Sequence, residues 1–406
     1  MRAVQAFFLA MALAVDSAVP ASATEETAIQ DVATQDVATQ ETARAPAVDL
    51  PQVPAIPLRA DVTLQAMIGQ MLLIGFPGGT RGEGWQARVA EMIQSGRIGG
   101  VILFAENILE PRQVKRLTAA LLARNGSLPP YICVDQEGGT IQRLTPEKGF
   151  SGLPAAQRIG TMDPLAAREL YRKAAQELGR LGINCNFGPV VDLNIDPDNP
   201  AIGRFGRSYD RDPQKVLSYA QQFIDAHVLA NVLTAAKHFP GHGSARGDPH
   251  DAVVDVTRTW QEAELEPFRS LAADNSVDMI MIGHLIHPRF SDGDRPASLS
   301  RKAVHGVLRT QLGYGGLVVS DDLDMGAIRS RYAIEEAAVM AVEAGSDLLM
   351  IANIRLPDPA IADRVIAAVV RAIAEGRIGR EAIEQSYDRI LKSKAKLIGH
   401  RADLRR

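Results

Sequence analysis

A chain of 406 residues with 46% hydrophobic and 23% charged content carries enough apolar side chains for a large buried core, which excludes disorder over most of its length. Its net charge of -4, with the two signs interspersed, supplies no basic stripe for a phosphate backbone, so nucleic acid is not expected as a partner. The length suits one large α/β domain or two ordinary ones.

The chain begins Met1-Arg2, continues with an apolar run from Phe7 to Val15, and reaches Ala21-Ser22-Ala23, a small-x-small cleavage site. Together these read as a secretory signal peptide over residues 1–23. The apolar run is too short to span a bilayer. No Cys follows it to carry a lipid, so no stable membrane insertion is expected after cleavage. Residues 24–58 are rich in Ala, Thr, Gln and Glu and contain Asp-Val-Ala-Thr-Gln twice, at 31–35 and 36–40, which reads as a flexible tether. The expectation is a periplasmic or secreted protein whose folded part occupies residues 59–400. Cys133 and Cys185 both sit in apolar runs and read as small buried residues, although an oxidising compartment permits a bridge.

After residue 60, eight short apolar runs rich in β-branched residues alternate with longer segments of helical period. The runs are Met71–Phe76, Gly100–Phe104, Tyr131–Asp135, Ile183–Asp192, Val232–Phe239, Val277–Leu285, Leu317–Asp321 and Asp347–Ile351. Amphipathic stretches such as Pro164–Leu181, Pro213–Leu229 and Tyr332–Ala344 supply crossover helices between parallel strands. Strict alternation at this count predicts a single α/β domain of the (β/α)8 TIM-barrel type. An open dinucleotide-binding sheet needs G-x-G-x-x-G after its first strand, and Phe76-Pro77-Gly78-Gly79-Thr80 does not provide it.

Catalytic residues of such barrels gather at the carboxyl ends of the strands. Here those ends carry Asn107, Asp135, Asp192, Lys237 with His238, His284 and Asp321, a set that describes a pocket. The fifth strand runs into Lys237-His238-Phe239-Pro240-Gly241-His242-Gly243, followed by Asp248-Pro249-His250. Five of the eight histidines fall between Lys237 and Pro288, and His titrates nearest neutrality, so this glycine-hinged stretch reads as a catalytic loop.

These residues resemble glycoside hydrolase family three, within it the single-domain bacterial branch of β-N-acetylhexosaminidases, from about Asp61 to Leu397. The likeness rests on the 237–243 motif with Asp248-x-His250, on Val134-Asp135-Gln136-Glu137-Gly138-Gly139, on Gly188-Pro189-Val190-Val191-Asp192, on Pro296-Ala297-Ser298-Leu299-Ser300 and on Ser320-Asp321-Asp322-Leu323-Asp324-Met325. The resemblance implies that Asp321 is the nucleophile of a retaining β-N-acetylglucosaminidase, forming a covalent glycosyl-enzyme. It implies that His250, paired with Asp248, is the acid/base. Pro249 favours an extended Asp248, and residues two apart in an extended segment share a side, so the carboxylate can reach the imidazole. Asp322 is expected to point away from the centre by the same alternation. Substrate-positioning roles carry over to Asp135, Arg143, Arg207, Lys237 and His238. His242 and His284 are expected to shape the pocket through hydrogen bonds.

The sequence departs from the family pattern at Pro249, where Ser is usual, at Thr140, at Glu106 and in a lengthened Ile202–Tyr209 segment that leaves Arg204 and Arg207 both open as the substrate contact. The implied substrate is an oligosaccharide, N-acetylglucosamine on cell-wall fragments, handled by a monomer without cofactor or metal. A β-glucosidase of the same family is the nearest alternative, though such enzymes generally draw their acid/base from a further domain. A metal-dependent barrel hydrolase normally begins with His-x-His after its first strand, where this chain has Phe76-Pro77-Gly78-Gly79. A catalytically dead wall-binding module would be expected to lack Asp321 or the 248–250 pair, and both are present.

Overall fold

Eight apolar runs become parallel strands: β1 Leu72–Ile74, β2 Gly100–Leu103, β3 Tyr131–Val134, β4 Cys185–Asn186, β5 Leu233–Phe239, β6 Met279–Ile282, β7 Leu317–Ser320 and β8 Leu349–Ile351. Every residue of these strands is buried, which is why they read as continuous apolar runs without alternation. The computed structural model describes residues 62–123 and 128–403, so the expected signal peptide and tether lie outside the described residues. The strands pair in the order β8-β1-β2-β3-β4-β5-β6-β7. A parallel bridge between Val319 and Leu348 joins the two ends, with Ser320 N donating to Leu348 O at 2.9 Å and Leu348 N to Val318 O at 3.0 Å. The sheet therefore closes into the (β/α)8 barrel that the alternation predicts.

The flanking helices include α1 Leu64–Gln70, α2 Trp85–Gln94, α3 Pro111–Ala123, α4 Pro164–Arg180, α5 Pro213–Leu229, α6 Glu266–Ala273, α7 Ile334–Ala344, α8 Ile361–Ala374 and α9 Arg380–Asp403. α4 and α5 both start at Asp-Pro: Asp163 accepts from Leu165 N and Asp212 from Gln214 N, while the proline supplies a preset φ where no donor is needed. Their apolar stripes meet at Tyr171 and Phe223, whose rings cross edge to face at 5.0 Å. Between β6 and β7 the crossover is a π-helix, Lys302–Gln311.

The fourth strand is shorter than its sequence run. Phe187 N still donates to Val134 O at 2.9 Å, but Pro189 has no N–H, and beyond Asn186 the pairing with β5 is irregular: Gly188 O and Pro189 O accept from Ala235 N and Lys237 N, and Val191 N donates to Lys237 O at 2.9 Å. β5 carries a bulge against β6 between Ala236 and Phe239. Cys133 and Cys185 are register partners on β3 and β4, both buried and both free.

Two buried charges fasten the barrel. Asp347, just before β8, accepts from Arg309 at 2.5 Å and Val318 N at 2.8 Å through Oδ2, and from Ser386 and Arg389 at 2.8 Å through Oδ1. Lys394 of α9 donates to Gln70 Oε1 and Gly99 O, both at 2.7 Å, and lies 4.6 Å from the Tyr131 ring centroid. Burial pushes its ammonium down to about 7. Gln70, Gly99 and Tyr131 stand at or just before the starts of β1, β2 and β3, so α9 covers that end of the barrel and leaves the opposite end for chemistry.

Candidate active site

The carboxyl ends of the strands surround a pocket lined by Asp135, Glu137, Arg143, Arg207, Lys237, His238, His242, His250, Asp321 and Asp322, with Phe104, Met281, Met325 and Met350 as apolar walls. In a regular strand Lys237 and His238 would point to opposite faces. The bulge at this point lets both line the pocket.

Lys237 is the centre of a buried charge network. Its Nζ lies 2.7 Å from Asp135 Oδ1 and 2.6 Å from Glu137 Oε1. Arg207 grips Glu137 with two hydrogen bonds of 2.8 Å, from Nε to Oε2 and from Nη2 to Oε1, and donates to Ala201 O at 2.9 Å. Arg143 reaches Asp135 Oδ2 at 3.3 Å, while its own Nε is buried without a protein partner. Burial pushes both carboxylates up, but Lys237 and Arg143 around Asp135, and Arg207 and Lys237 around Glu137, outweigh it and hold both below the usual carboxylate range. Arg204 is exposed, so Arg207 is the arginine that this segment brings to the pocket.

His238 is aimed from below. Asp192, fully buried, takes the His238 Nδ1–H at 2.7 Å and two main-chain donors, His238 N at 3.1 Å and His242 N at 2.8 Å. That leaves His238 Nε2 facing the pocket, 3.4 Å from Arg207 Nη2.

Asp321 follows β7 directly, with Asp322 N donating to its Oδ1 at 2.8 Å. Burial raises its proton affinity, but His284, His238, the Asp322 N–H and Lys237 outweigh burial, so the carboxyl stays below its ordinary range and ionised. His284 fixes the next peptide: its Nε2 is 2.9 Å from the Asp322 carbonyl oxygen, which only accepts, so Nε2 carries the proton and Nδ1 accepts from Ser298 Oγ at 2.7 Å. His284 thus supports the pocket floor without lining it.

The 244–251 loop brings the second titratable pair. His250 Nδ1–H donates to Asp248 Oδ1 at 2.7 Å, and His250 N donates to the same oxygen at 2.9 Å; the expected pair forms, but through a turn at Pro249-His250, closed by Asp251 N donating to Asp248 O at 3.1 Å, and not through the extended segment expected. The His250 side chain is 70% exposed and that of Asp248 28%. The loop is pinned beyond β7 by Ala327 N donating to Pro249 O at 3.0 Å.

Three expectations need correction. Asp322 lines the pocket instead of pointing away, because β7 ends at Ser320 and strand alternation no longer governs the two aspartates. Asn107 and Asp192 stand at strand ends but not in the pocket: Asn107 Oδ1 accepts from Phe104 N at 2.8 Å and its Nδ2 donates to Phe76 O at 2.9 Å. The ring of His242, expected to hold the loop through hydrogen bonds, has neither nitrogen paired. Two buried acids escaped the sequence reading. Glu137 stands in the 134–139 motif, but only its contacts with Lys237 and Arg207 reveal its depth. Glu264, beneath the loop, accepts from Gln261 N and Ser244 N, and burial pushes it up to about 7. Among the described residues no three His, Cys, Asp or Glu side chains are placed to share a metal ion.

Chemically, the pocket offers an ionised carboxylate on its floor, fixed donors and acceptors along one wall, and an imidazole with a carboxylate partner on a loop above. The family model described as Glycosyl hydrolase family 3 N terminal domain matches residues 63–393. Beta-hexosaminidase A of Pseudoalteromonas piscicida is 33% identical over 371 residues, covering 83% of this chain and 62% of its own. Beta-hexosaminidase of Xylella fastidiosa (strain M23) is 33% identical over 324 residues, 76% of this chain and 92% of its own. Among solved structures, a glycoside hydrolase family 3 β-N-acetylglucosaminidase from Paenibacillus sp. str. FPU-7 superposes with a TM-score of 0.74 at 35% identity, over 82% of this chain and 62% of that one. A β-N-acetylhexosaminidase from Beutenbergia cavernae DSM 12333 gives 0.72 at 30% identity, over 82% and 99%. The chain therefore spans under two thirds of the Pseudoalteromonas and Paenibacillus proteins and nearly all of the Xylella and Beutenbergia ones.

Proposed function

The chain belongs to glycosyl hydrolase family 3, and from that premise we propose that it is a retaining β-N-acetylglucosaminidase with Asp321 as nucleophile and His250, paired with Asp248, as acid/base. The observation that carries the reading is Asp321 itself, a pocket-floor carboxylate kept ionised by surrounding histidines and by Lys237 in spite of burial. Such a group can attack an anomeric carbon and stabilise an oxocarbenium-like transition state without first losing a proton.

In the first step the Asp321 carboxylate displaces the leaving oxygen while His250 protonates it. In the second, neutral His250 takes a proton from water, which opens the glycosyl ester. Asp248 fixes the proton on Nδ1 and stabilises the imidazolium, leaving Nε2 to act. Asp135, Lys237, Arg143, Arg207 and His238 hold the sugar through its hydroxyl and acetamido groups. The network among them sets these atoms before substrate arrives, and the unpartnered Arg143 Nε is a donor ready for it. The names of the relatives support an N-acetylated sugar, and on that ground cell-wall fragments ending in N-acetylglucosamine are the proposed substrates. Export through the 1–23 segment is the proposed route to them. Intact-mass analysis of the natively expressed protein tests that part, with a start near Thr24 expected and a retained Met1 opposing it.

The deciding experiment compares chromogenic β-N-acetylglucosaminide with β-glucoside, then traps the intermediate with a slow fluorinated N-acetylglucosaminide. Strong preference for the first and a glycosyl adduct on the peptide containing Asp321 are expected. Faster turnover of the glucoside, or an adduct elsewhere, would reject the reading.

A further inference from the structure

His242 is the one pocket-lining imidazole among the described residues with both ring nitrogens buried and unpartnered, at 2% residue exposure. Its position is not accidental slack. Asp192 Oδ1 accepts from its main-chain N–H at 2.8 Å, and Asn199 Nδ2 donates to its carbonyl at 2.7 Å. Gly241 gives the chain a φ of +118°, and Gly243 lies so close to Leu193 that a Cβ there would stand 1.6 Å from the Leu193 oxygen. Two main-chain hydrogen bonds and two glycines thus fix a ring that packs on the edge of His238 while neither nitrogen has a hydrogen-bond partner, and buried polar atoms left in that state cost stability unless something fills them in the working state.

Asp248 presents the complementary deficit. Its Oδ1 accepts both donors of His250, and no hydrogen bond to Oδ2 is formed by the described residues. Meanwhile His250, 70% exposed, stands in water, where an acid/base cannot yet be held against a sugar.

We infer that His242 is a positioning residue: when the loop folds over a bound sugar, the His242 imidazole donates a hydrogen bond to the free Oδ2 of Asp248, linking His250, Asp248 and His242 into one chain. This rests on the proposed roles of Asp248 and His250. The ring suits the task because burial, helped by His238 and Arg207, keeps it neutral, with a pKa near 4, so it supplies one N–H without adding a charge that would compete with His250 for the carboxylate. No proton changes hands at His242.

The test uses His242→Ala, His242→Gln and His250→Ala in the full-length enzyme, with a nitrophenyl N-acetylglucosaminide and with N,N′-diacetylchitobiose, whose leaving group needs protonation. A well-placed general acid contributes roughly 100-fold to 10,000-fold, so losing its bracing should slow kcat on the disaccharide by about tenfold or more. The nitrophenyl substrate should lose much less in glycosylation, azide should speed its turnover, and His242→Gln, which keeps an N–H donor, should recover most of the disaccharide rate. Urea unfolding of His242→Ala and His242→Gln checks that both stay folded, so that a lost rate is not a lost fold. Wild-type rates on the disaccharide would overturn the inference. So would equal losses on both substrates, which would mean that the ring touches the sugar and not the dyad. If His250→Ala shows no dependence on leaving group, the acid/base assignment falls and this inference with it; a dependent His250→Ala beside an indifferent His242→Ala overturns this inference alone.

Discussion

Replacing Glu137 with Ala removes one carboxylate from beneath two buried cations. In the wild type it takes two hydrogen bonds of 2.8 Å from Arg207 and lies 2.6 Å from Lys237 Nζ, and the three side chains are 5%, 11% and 3% exposed. After the change Lys237 keeps Asp135 at 2.7 Å, while Arg207 keeps only Ala201 O at 2.9 Å and the edge of His238. Breaking a buried pair from one side costs about 3–5 kcal/mol, and the low end, about 3 kcal/mol, applies here because the freed guanidinium can turn toward water in the pocket. Urea unfolding at neutral pH measures it through the midpoint. Glu137 titrates well below its ordinary 4.5 when folded, so its contribution is fully present above pH 4.5 and is lost as the pH falls toward the folded value. The gap between wild type and variant should therefore be widest near pH 7 and narrow on acidification below 4.5. KM should rise together with the loss of stability, since Arg207 no longer points at substrate. A shift under about 0.5 kcal/mol, the range of an ordinary surface change, would refute the argument, as would a gap that widens in acid.

Asp321→Asn should lower turnover by roughly 1,000-fold or more while the protein stays folded and still binds N-acetylglucosamine in calorimetry; near-normal rates would sink the nucleophile assignment. Asp248→Asn should act as a weaker His250→Ala, slowing poor leaving groups by about tenfold and activated ones less, because the imidazole remains but loses its charged partner. Burial holds Asp322 up at about 7 against an ordinary 3.8, so the wild type loses stability as the pH rises across that interval. Asp322→Asn keeps an oxygen for the Asp324 and Ala352 N–H groups and should melt ~2–4 °C above wild type at pH 8, with no gain near pH 3.5; equal melting curves at both would show that Asp322 does not resist ionisation. Chelation should leave the rate unchanged, and a rate restored only by added metal would count against hydrolysis by the carboxylate and imidazole alone.

The barrel was readable because each strand is buried on both faces and stands out as an apolar run between polar turns. What resisted reading was whatever breaks strand geometry. Pro189 interrupts β4 with a residue that has no N–H, and the bulge in β5 turns both Lys237 and His238 into the pocket where alternation allows only one. The same rule misplaced Asp322, because nothing in Ser320-Asp321-Asp322 announces that the ladder stops at Ser320. Asp135, Lys237 and Asp321 are legible as strand-end or motif charges, whereas the sequence leaves Arg204 and Arg207 both open and only the pocket lining separates them. Glu137 and Glu264 were not, because a carboxylate in a loop carries no sign of its depth until its partners are known. Asp192 was recognised as important, but its work is to aim His238 and His242 from below, which only the three-dimensional arrangement reveals.

The seam between β7 and β8 bears on how the protein is made. Of the strand junctions it is bridged at one residue pair, Val319 with Leu348, and Asp347 beside it draws in Arg309, Ser386 and Arg389 from segments before and after. Two of those three partners lie on α9, downstream of every barrel strand. A ribosome releasing this chain therefore presents an open, curled sheet with β1 and β7 as bare edges until β8 has emerged, and the closing charge cluster is incomplete until α9 follows. Asp321, the Lys237 charge network and the 244–251 loop are all encoded before that moment, yet the pocket's wall stays incomplete until the last strand supplies Met350.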